Sequence, residues 1–327
     1  MIASRLFVKS LLITGFLLNF SYAGNILANE SPREELSPQS LLLKMAEASR
    51  ELDYQGTFTY QHKDNPSLQN FRITHYVENN IAVERLQYLN GPEREIVRKS
   101  PVDSCALTEK NERPNSFAHL GERLSHVTEY YRFEIRGIER VAGRLATVLM
   151  AIPVDGYRYS YYFSVDNESG LVLKSWLVDE AARPLERYQF VELTINPNLE
   201  KIKKLPVAKL HKNAGIPCMA EQQPLKKAWK PAWIPPGFGY LGYKIVQDDI
   251  DMLMYSDGLS SFSIFVEQAS SPIPEGVAQR GATLAAMDNI SIEGKIYRVT
   301  VVGEIPIVSA QKIAQQIVAN SEQQVEQ

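Results

Sequence analysis

The chain has 327 residues, of which 44% are hydrophobic and 22% charged, the balance of an ordinary globular protein. That length favours about two domains over a single core. A formal charge of −3 argues against wholesale nucleic-acid binding, which normally needs a strongly basic face.

The start of the chain reads as an export signal. Arg5 and Lys9 precede a short apolar run over residues 11–20, and Ser21-Tyr22-Ala23 then offers the small residues a signal peptidase recognises. The run is shorter than the ~20 residues a bilayer span needs. No cysteine follows it, which argues against a lipoprotein anchor. Cleavage after Ala23 moves the formal charge from −3 to −5 and leaves a protein outside the cytoplasm. Cys105 and Cys218 are the two cysteines. Their pairing is open: closing so long a loop is worth roughly 4–5 kcal/mol in the chain-entropy model, but neither sits in a redox or metal-ligand spacing.

Residues 24–36 read as a polar, disordered leader. Ser37 as N-cap and Pro38 in the first turn then predict a helix, with Leu41, Met45, Ala48 and Leu52 forming one apolar stripe. Strands follow at 54–61, 71–77, 81–89 and 93–99, separated by the turn signals Glu78-Asn79-Asn80 and Asn90-Gly91-Pro92. Residues 100–128 are irregular, with a short helix or a mobile loop as the alternatives. Five more strands are expected at 130–141, 144–152, 157–165, 171–179 and 185–195. So many antiparallel strands curl as their twist accumulates, and a helix across the concave face is the economical arrangement.

Residues 196–235 are rich in proline and lysine, the composition of an extended connection. Beyond it, strands are expected at 240–247, 252–256, 262–268, 281–290 and 295–303. A closing helix, capped by Ser309 with Ile313 and Ile317 facing inward, ends near Asn320. The expected organisation is therefore a signal peptide at 1–23, a leader at 24–36, a large domain at 37–200, a linker at 201–225, a small α+β domain at 226–320 and a tail at 321–327.

Catalytic motifs are missing from the pattern. His62, His75, His119, His126 and His211 form no His-Glu-x-x-His pair, and there is no Gly-x-Ser-x-Gly elbow or phosphate-binding glycine loop. The reading is a binding protein without catalytic residues, metal or cofactor. Asp248, Asp249 and Asp251 read as a solvated turn rather than a calcium loop, which would want a central glycine. Asn167-Glu168-Ser169 reads as a hairpin turn.

Two patterns remain. Aromatic residues alternate along predicted strands: Tyr157, Tyr159, Tyr161 and Phe163 on one, Tyr54, Phe58 and Tyr60 on another, with Phe71, Ile73 and Val77 beside them. They form either a core beneath the helix or an apolar groove for acyl chains, for which the candidates are Phe58, Tyr60, Phe71, Tyr159, Tyr161 and Phe163. Arginines also recur, with Arg94, Arg98 and Lys99 on one predicted strand and Arg132, Arg136, Arg140 and Arg144 punctuating another. Their planar forks suit phosphate or carboxylate partners, although such residues also serve simply as a solvated face.

Several segments resemble the MucB/RseB family. Leu89-Asn90-Gly91-Pro92-Glu93-Arg94-Glu95-Ile96-Val97 and Asp155-Gly156-Tyr157-Arg158-Tyr159-Ser160-Tyr161 are similar to two of its hairpin and strand motifs, and Asp166-Asn167-Glu168-Ser169-Gly170-Leu171 to a turn. Trp233-Ile234-Pro235-Pro236-Gly237-Phe238, Tyr255-Ser256-Asp257-Gly258-Leu259-Ser260-Ser261-Phe262-Ser263 and Val302-Gly303-Glu304-Ile305-Pro306 extend the likeness through the second half. Residues 100–128 match poorly.

The resemblance implies a large unclosed antiparallel β half-barrel with helices, like the carriers LolA and LppX, plus a smaller C-terminal α+β domain. It also implies a periplasmic regulator of an envelope-stress sigma factor. Such a regulator binds the periplasmic region of an RseA/MucA-type anti-sigma factor and shields it from site-1 proteolysis. Lipopolysaccharide or lipoprotein acyl chains release it. The alternative is a periplasmic lipid or lipoprotein carrier of LolA type. Partner contact is expected at Trp233, Tyr255, Asp257 and Phe262 and at the seam lysines Lys203, Lys204 and Lys227, with Trp233 open to a core role. Self-association as a homodimer is left open.

Overall fold

The computed structural model describes residues 37–101, 124–203, 213–214, 228–246 and 249–320. The expected signal peptide, leader and tail, both cysteines, and Lys204 and Lys227 lie outside the described residues, as does most of the linker.

Helix α1 (Pro38–Glu51) begins as its sequence dictates. Ser37 Oγ accepts the Ser40 backbone N–H at 3.1 Å while Ser40 Oγ accepts that of Ser37 at 3.2 Å, a reciprocal cap with proline at the first helical position. Its buried face carries Leu41, Leu42, Met45, Ala46, Ala48 and Ser49.

That face meets the large sheet. β1 (Tyr54–His62), β2 (Asn65–Glu78), β3 (Ile81–Tyr88) and β4 (Glu95–Pro101) come first in the chain, then α2 (Leu124–Tyr130). β5 (Tyr131–Val141), β6 (Arg144–Pro153), β7 (Ser160–Asp166), β8 (Val172–Val178) and β9 (Pro184–Ile195) follow, with α3 (Leu199–Lys203) and the two-residue β10 (Asn213–Ala214) after them. The ten strands run in the order β10-β4-β3-β2-β1-β9-β8-β7-β6-β5. All pairings are antiparallel except β10 with β4. The two terminal strands do not pair with each other, so the sheet stays unclosed.

The second sheet holds β12 (Gly239–Val246), β13 (Ile250–Ser256), β14 (Ser261–Ala269), β15 (Gly276–Arg280), β16 (Thr283–Ile292) and β17 (Lys295–Gly303), in the order β12-β13-β14-β17-β16-β15. Helix α4 (Ile307–Ala314) packs on β16 and β17. A small two-stranded sheet joins β11 (Trp229–Pro231) to β18 (Ile317–Ala319).

The structure corrects four expectations. The strand expected from Tyr157 starts only at Ser160, because residues 154–158 bend to meet the second sheet. The strand expected over 281–290 is present as β16 but starts only at Thr283; Gly281, at φ +63°, turns into it from β15, a strand that was not expected. The closing helix stops at Ala314 and takes Pro306 as its N-cap residue. Ser309 lies within that helix, fully buried, and Ile317 belongs to β18. Finally, Asp251 is no bystander in a solvated turn: it accepts hydrogen bonds from Trp229 Nε1 at 2.7 Å and from the Tyr243 hydroxyl, tying β11 to the second sheet.

Candidate binding site between the two sheets

The two sheets meet where their most distinctive sequence segments meet. The bend after β6 begins with Asp155, whose Oδ1 accepts the Tyr157 backbone N–H at 3.0 Å. This local turn projects Arg158 into the second sheet, where its side chain is 0% exposed. Arg158 Nε donates to Asp257 Oδ2 at 2.7 Å, one terminal nitrogen donates to Asp155 and the other to the Pro236 carbonyl. The guanidinium also lies 4.9 Å from the ring centres of both Tyr130 and Phe238, a doubly stacked cation. Burial, the largest single influence, opposes the charge on Arg158, yet Asp257, Tyr131 and Asp155 together outweigh it and raise the guanidinium pKa above its ordinary value.

Asp257 is itself fully enclosed and uses both oxygens. Oδ1 accepts the backbone N–H groups of Leu259 at 2.9 Å and Ser260 at 2.7 Å, which fixes the β13–β14 turn. Oδ2 accepts Arg158 and the Tyr131 hydroxyl, the latter at 3.1 Å. Burial, with the Asp257 charge second, pushes the Tyr131 phenol well above the usual tyrosine range. Every proton-accepting site of the buried carboxylate is therefore engaged, as a charge in low dielectric requires.

Further contacts surround this pair. Gly237 turns at φ +87° with its α-carbon against the Tyr130 ring, where any β-carbon would collide, and its carbonyl accepts from His126 Nε2 at 2.8 Å. Ser309 Oγ, on α4, donates to the Tyr157 carbonyl at 3.0 Å, and the Tyr157 ring meets Trp233 edge-on at 5.1 Å. Lys312 Nζ sits 3.9 Å from the Trp233 ring centre. On the far side, the β15–β16 turn reaches the first sheet: Glu186 accepts the Ala282 N–H at 2.9 Å and Asp64 that of Gly281 at 2.7 Å.

The candidate acyl-binding residues divide into two groups. Tyr159, Tyr161 and Phe163 are buried beneath α1, in one cluster with Leu259 and Ala282 from the second sheet. Phe58, Tyr60 and Phe71 form a separate aromatic group on β1 and β2, with Phe58 stacked on Phe71 at 5.2 Å and Phe71 against Tyr88 at 4.8 Å. Of the expected partner residues, Trp233 is half-buried, whereas Tyr255, Asp257 and Phe262 are buried. Lys203 ends α3.

The recurrent arginines mostly meet groups of the chain itself. Arg98 pairs with Glu84 at 2.6 Å, Arg132 and Arg136 with Glu134 at 2.7 and 2.5 Å, and Arg144 with Asp166 and Glu168 at 2.9 and 2.6 Å. Arg140 caps the Gly143 carbonyl and Arg94 lies over the Tyr88 ring.

Arg158, Tyr131, Asp64 and Glu186 were not singled out in the sequence as interface residues. The signal for Arg158 was available: a charged residue between two aromatics, three residues after an aspartate. Nothing local marks Glu186 or Asp64, whose roles depend on a turn about a hundred residues or more away.

This architecture defines a class: a two-sheet protein whose halves clasp through a buried ion pair and whose aromatic interior is shared between them. Among the described residues, no group of three or more His, Cys, Asp or Glu is placed to hold a metal ion. No described helix is long and apolar enough to cross a membrane. The chain belongs to the MucB/RseB family, whose N-terminal domain matches residues 37–209 and whose C-terminal domain matches residues 223–318.

Its relatives are regulators of sigma factors. The chain is 32% identical to the sigma factor AlgU regulatory protein MucB of Pseudomonas aeruginosa, over 84% of this chain and 88% of the relative. It is 29% identical to the sigma-E factor regulatory protein RseB of Haemophilus influenzae, over 89% and 94% respectively. Among solved structures, MucB in the P. aeruginosa MucA/MucB complex superposes with a TM-score of 0.69 at 29% identity, covering 86% of this chain and 99% of that one. MucB crystallised in complex with MucA(peri) gives the same TM-score.

Proposed function

We propose that the chain is a periplasmic negative regulator of an envelope-stress sigma factor, exported by a signal peptide cleaved after Ala23. It binds the periplasmic region of an RseA/MucA-type anti-sigma factor, shields it from site-1 proteolysis, and lets go when lipopolysaccharide or a lipoprotein acyl chain binds. The observation that carries this reading is the extent of the likeness to MucB held in complex with MucA, which runs through both sheets rather than one. A carrier of lipid alone has no need of the second sheet.

The work is binding, not catalysis, and needs no metal or cofactor. Acyl chains are assigned to the aromatic residues Phe58, Tyr60, Phe71, Tyr159, Tyr161 and Phe163. Partner contact is assigned to the region of Trp233 and the lysines Lys203, Lys204 and Lys227. Tyr255, Asp257 and Phe262 act from inside, by holding the β13–β14 turn in shape. A lipid can release the partner only by favouring a conformation the partner does not.

The test is a pull-down of the protein from Gly24 onward with the periplasmic segment of the same organism's anti-sigma factor, with and without lipopolysaccharide. Capture that lipopolysaccharide abolishes is the expected result. No capture in either condition overturns the reading and moves the carrier alternative to first place.

A further inference from the structure

Two turns of the second sheet reach into the aromatic interior of the first. Leu259, from the β13–β14 turn, is 2% exposed and Ala282, from the β15–β16 turn, is 0% exposed, both packed in the cluster of Tyr159, Tyr161 and Phe163. The bonds that hold these turns in place are polar. Asp257 receives Arg158 and Tyr131, Glu186 and Asp64 receive the Ala282 and Gly281 N–H groups, and the Tyr161 hydroxyl donates to the Leu259 carbonyl at 3.2 Å. Groups of this kind regain much of their hydrogen bonding from water when parted, so such a contact opens at less cost than an apolar interface of equal area. The surface they cover is apolar and already buried, so an acyl chain can reach it only by taking the place of Leu259 and Ala282.

We propose that residues 257–260 and 281–282 form an intramolecular plug over the aromatic wall of Tyr159, Tyr161 and Phe163, latched by the Arg158–Asp257 pair, and that an acyl chain binds this wall by displacing the plug. The inference rests on the lipid-responsive part of the proposed function and adds what the lipid must compete with. Occupancy of the wall and seating of the second sheet then exclude each other. Lipid binding is read out as movement of the sheet that carries Asp257, which gives the release step a physical cause. It also follows that weakening the latch strengthens lipid binding, since apparent affinity scales with the fraction of molecules already open.

The experiment compares the full mature chain with its Asp257→Asn and Tyr131→Phe variants. The second removes one hydrogen bond and serves if the first fails to fold. Backbone hydrogen exchange reports on the plug, and titration with dansyl-labelled undecanoic acid reports on the wall. Expected are faster exchange confined to the segments around 155–159, 236–238, 257–260 and 281–282, and probe affinity raised in proportion, on the order of tenfold when the open fraction rises tenfold. Unchanged exchange in both variants overturns the latch. Faster exchange with wild-type probe affinity overturns the plug while leaving lipid binding elsewhere intact. Faster exchange with no probe bound by any form overturns the lipid-responsive reading itself, and the plug with it.

Discussion

At the scale of single residues, Asp257 carries more than any other described side chain, because one oxygen shapes a turn and the other joins two sheets. Asp257→Asn leaves the turn an acceptor but strands the Arg158 charge in the interior, beside Asp155 alone. Breaking a buried pair from one side costs about 3–5 kcal/mol, whereas neutralising both members together is often nearly free. Urea unfolding should therefore show a large loss for Asp257→Asn and substantial recovery in the double variant Arg158→Met/Asp257→Asn. A double variant no more stable than Asp257→Asn would mean that the charge pair is not the source of the loss. Legibility at this scale was uneven. The tyrosines at 159 and 161 were visible from their alternation, but Tyr157 shared that alternation and proved to lie outside the strand, because its carbonyl is claimed by Ser309 and its ring by Trp233.

At the scale of elements, the sequence signals that worked were those with a local cause. Ser37 and Pro38 place the start of α1, and Asn79 and Asn80, both at positive φ, place the β2–β3 turn. Those that failed had a distant cause. Nothing in residues 315–320 announces that the last turn of the expected helix unwinds to pair with Trp229–Pro231, a segment far earlier in the chain. Nor does alternation alone expose the hairpin at Gly281, whose positive φ and contact with Glu186 leave no room for a β-carbon. Helix α1 lends itself to direct measurement. Met45 is fully buried between the helix and the aromatic wall, and Met45→Ala should cost about 2–5 kcal/mol by lost transfer and cavity terms. Ser37→Ala, at the cap, should cost about 1 kcal/mol. If chemical denaturation shows the cap to matter more than the core residue, the helix is held by its terminus and not by its packing on the sheet.

At the scale of the whole molecule, both sheets share a response to alkali. Burial raises Tyr159 in the first sheet from 10.0 to about 12, with the Asp179 charge adding to it, and burial raises Tyr255 in the second to about 12 as well. A raised folded-state pKa stabilises the fold fully below the unfolded phenol value near 10, and that contribution is lost as pH rises through about 12. Tyrosinate absorbance and unfolding should thus rise together over that interval. Ionisation of these tyrosines near pH 10 with the fold intact would show that they are not enclosed as described. At this scale the sequence spoke clearly: an unclosed antiparallel sheet, a smaller second sheet and the family were all foreseen, since each rests on patterns spread over many residues. How the two sheets meet was not foreseen, since single side chains decide it. The pairing of Trp229–Pro231 with Ile317–Ala319 also sets an order of events. Every strand of the large sheet except β10 is complete by residue 195, whereas the small sheet cannot be tied off until β18, Ile317–Ala319, has been made. A chain delivered N-terminus first therefore presents its first half, with α1 already over the aromatic wall, before the two turns that complete its cover exist.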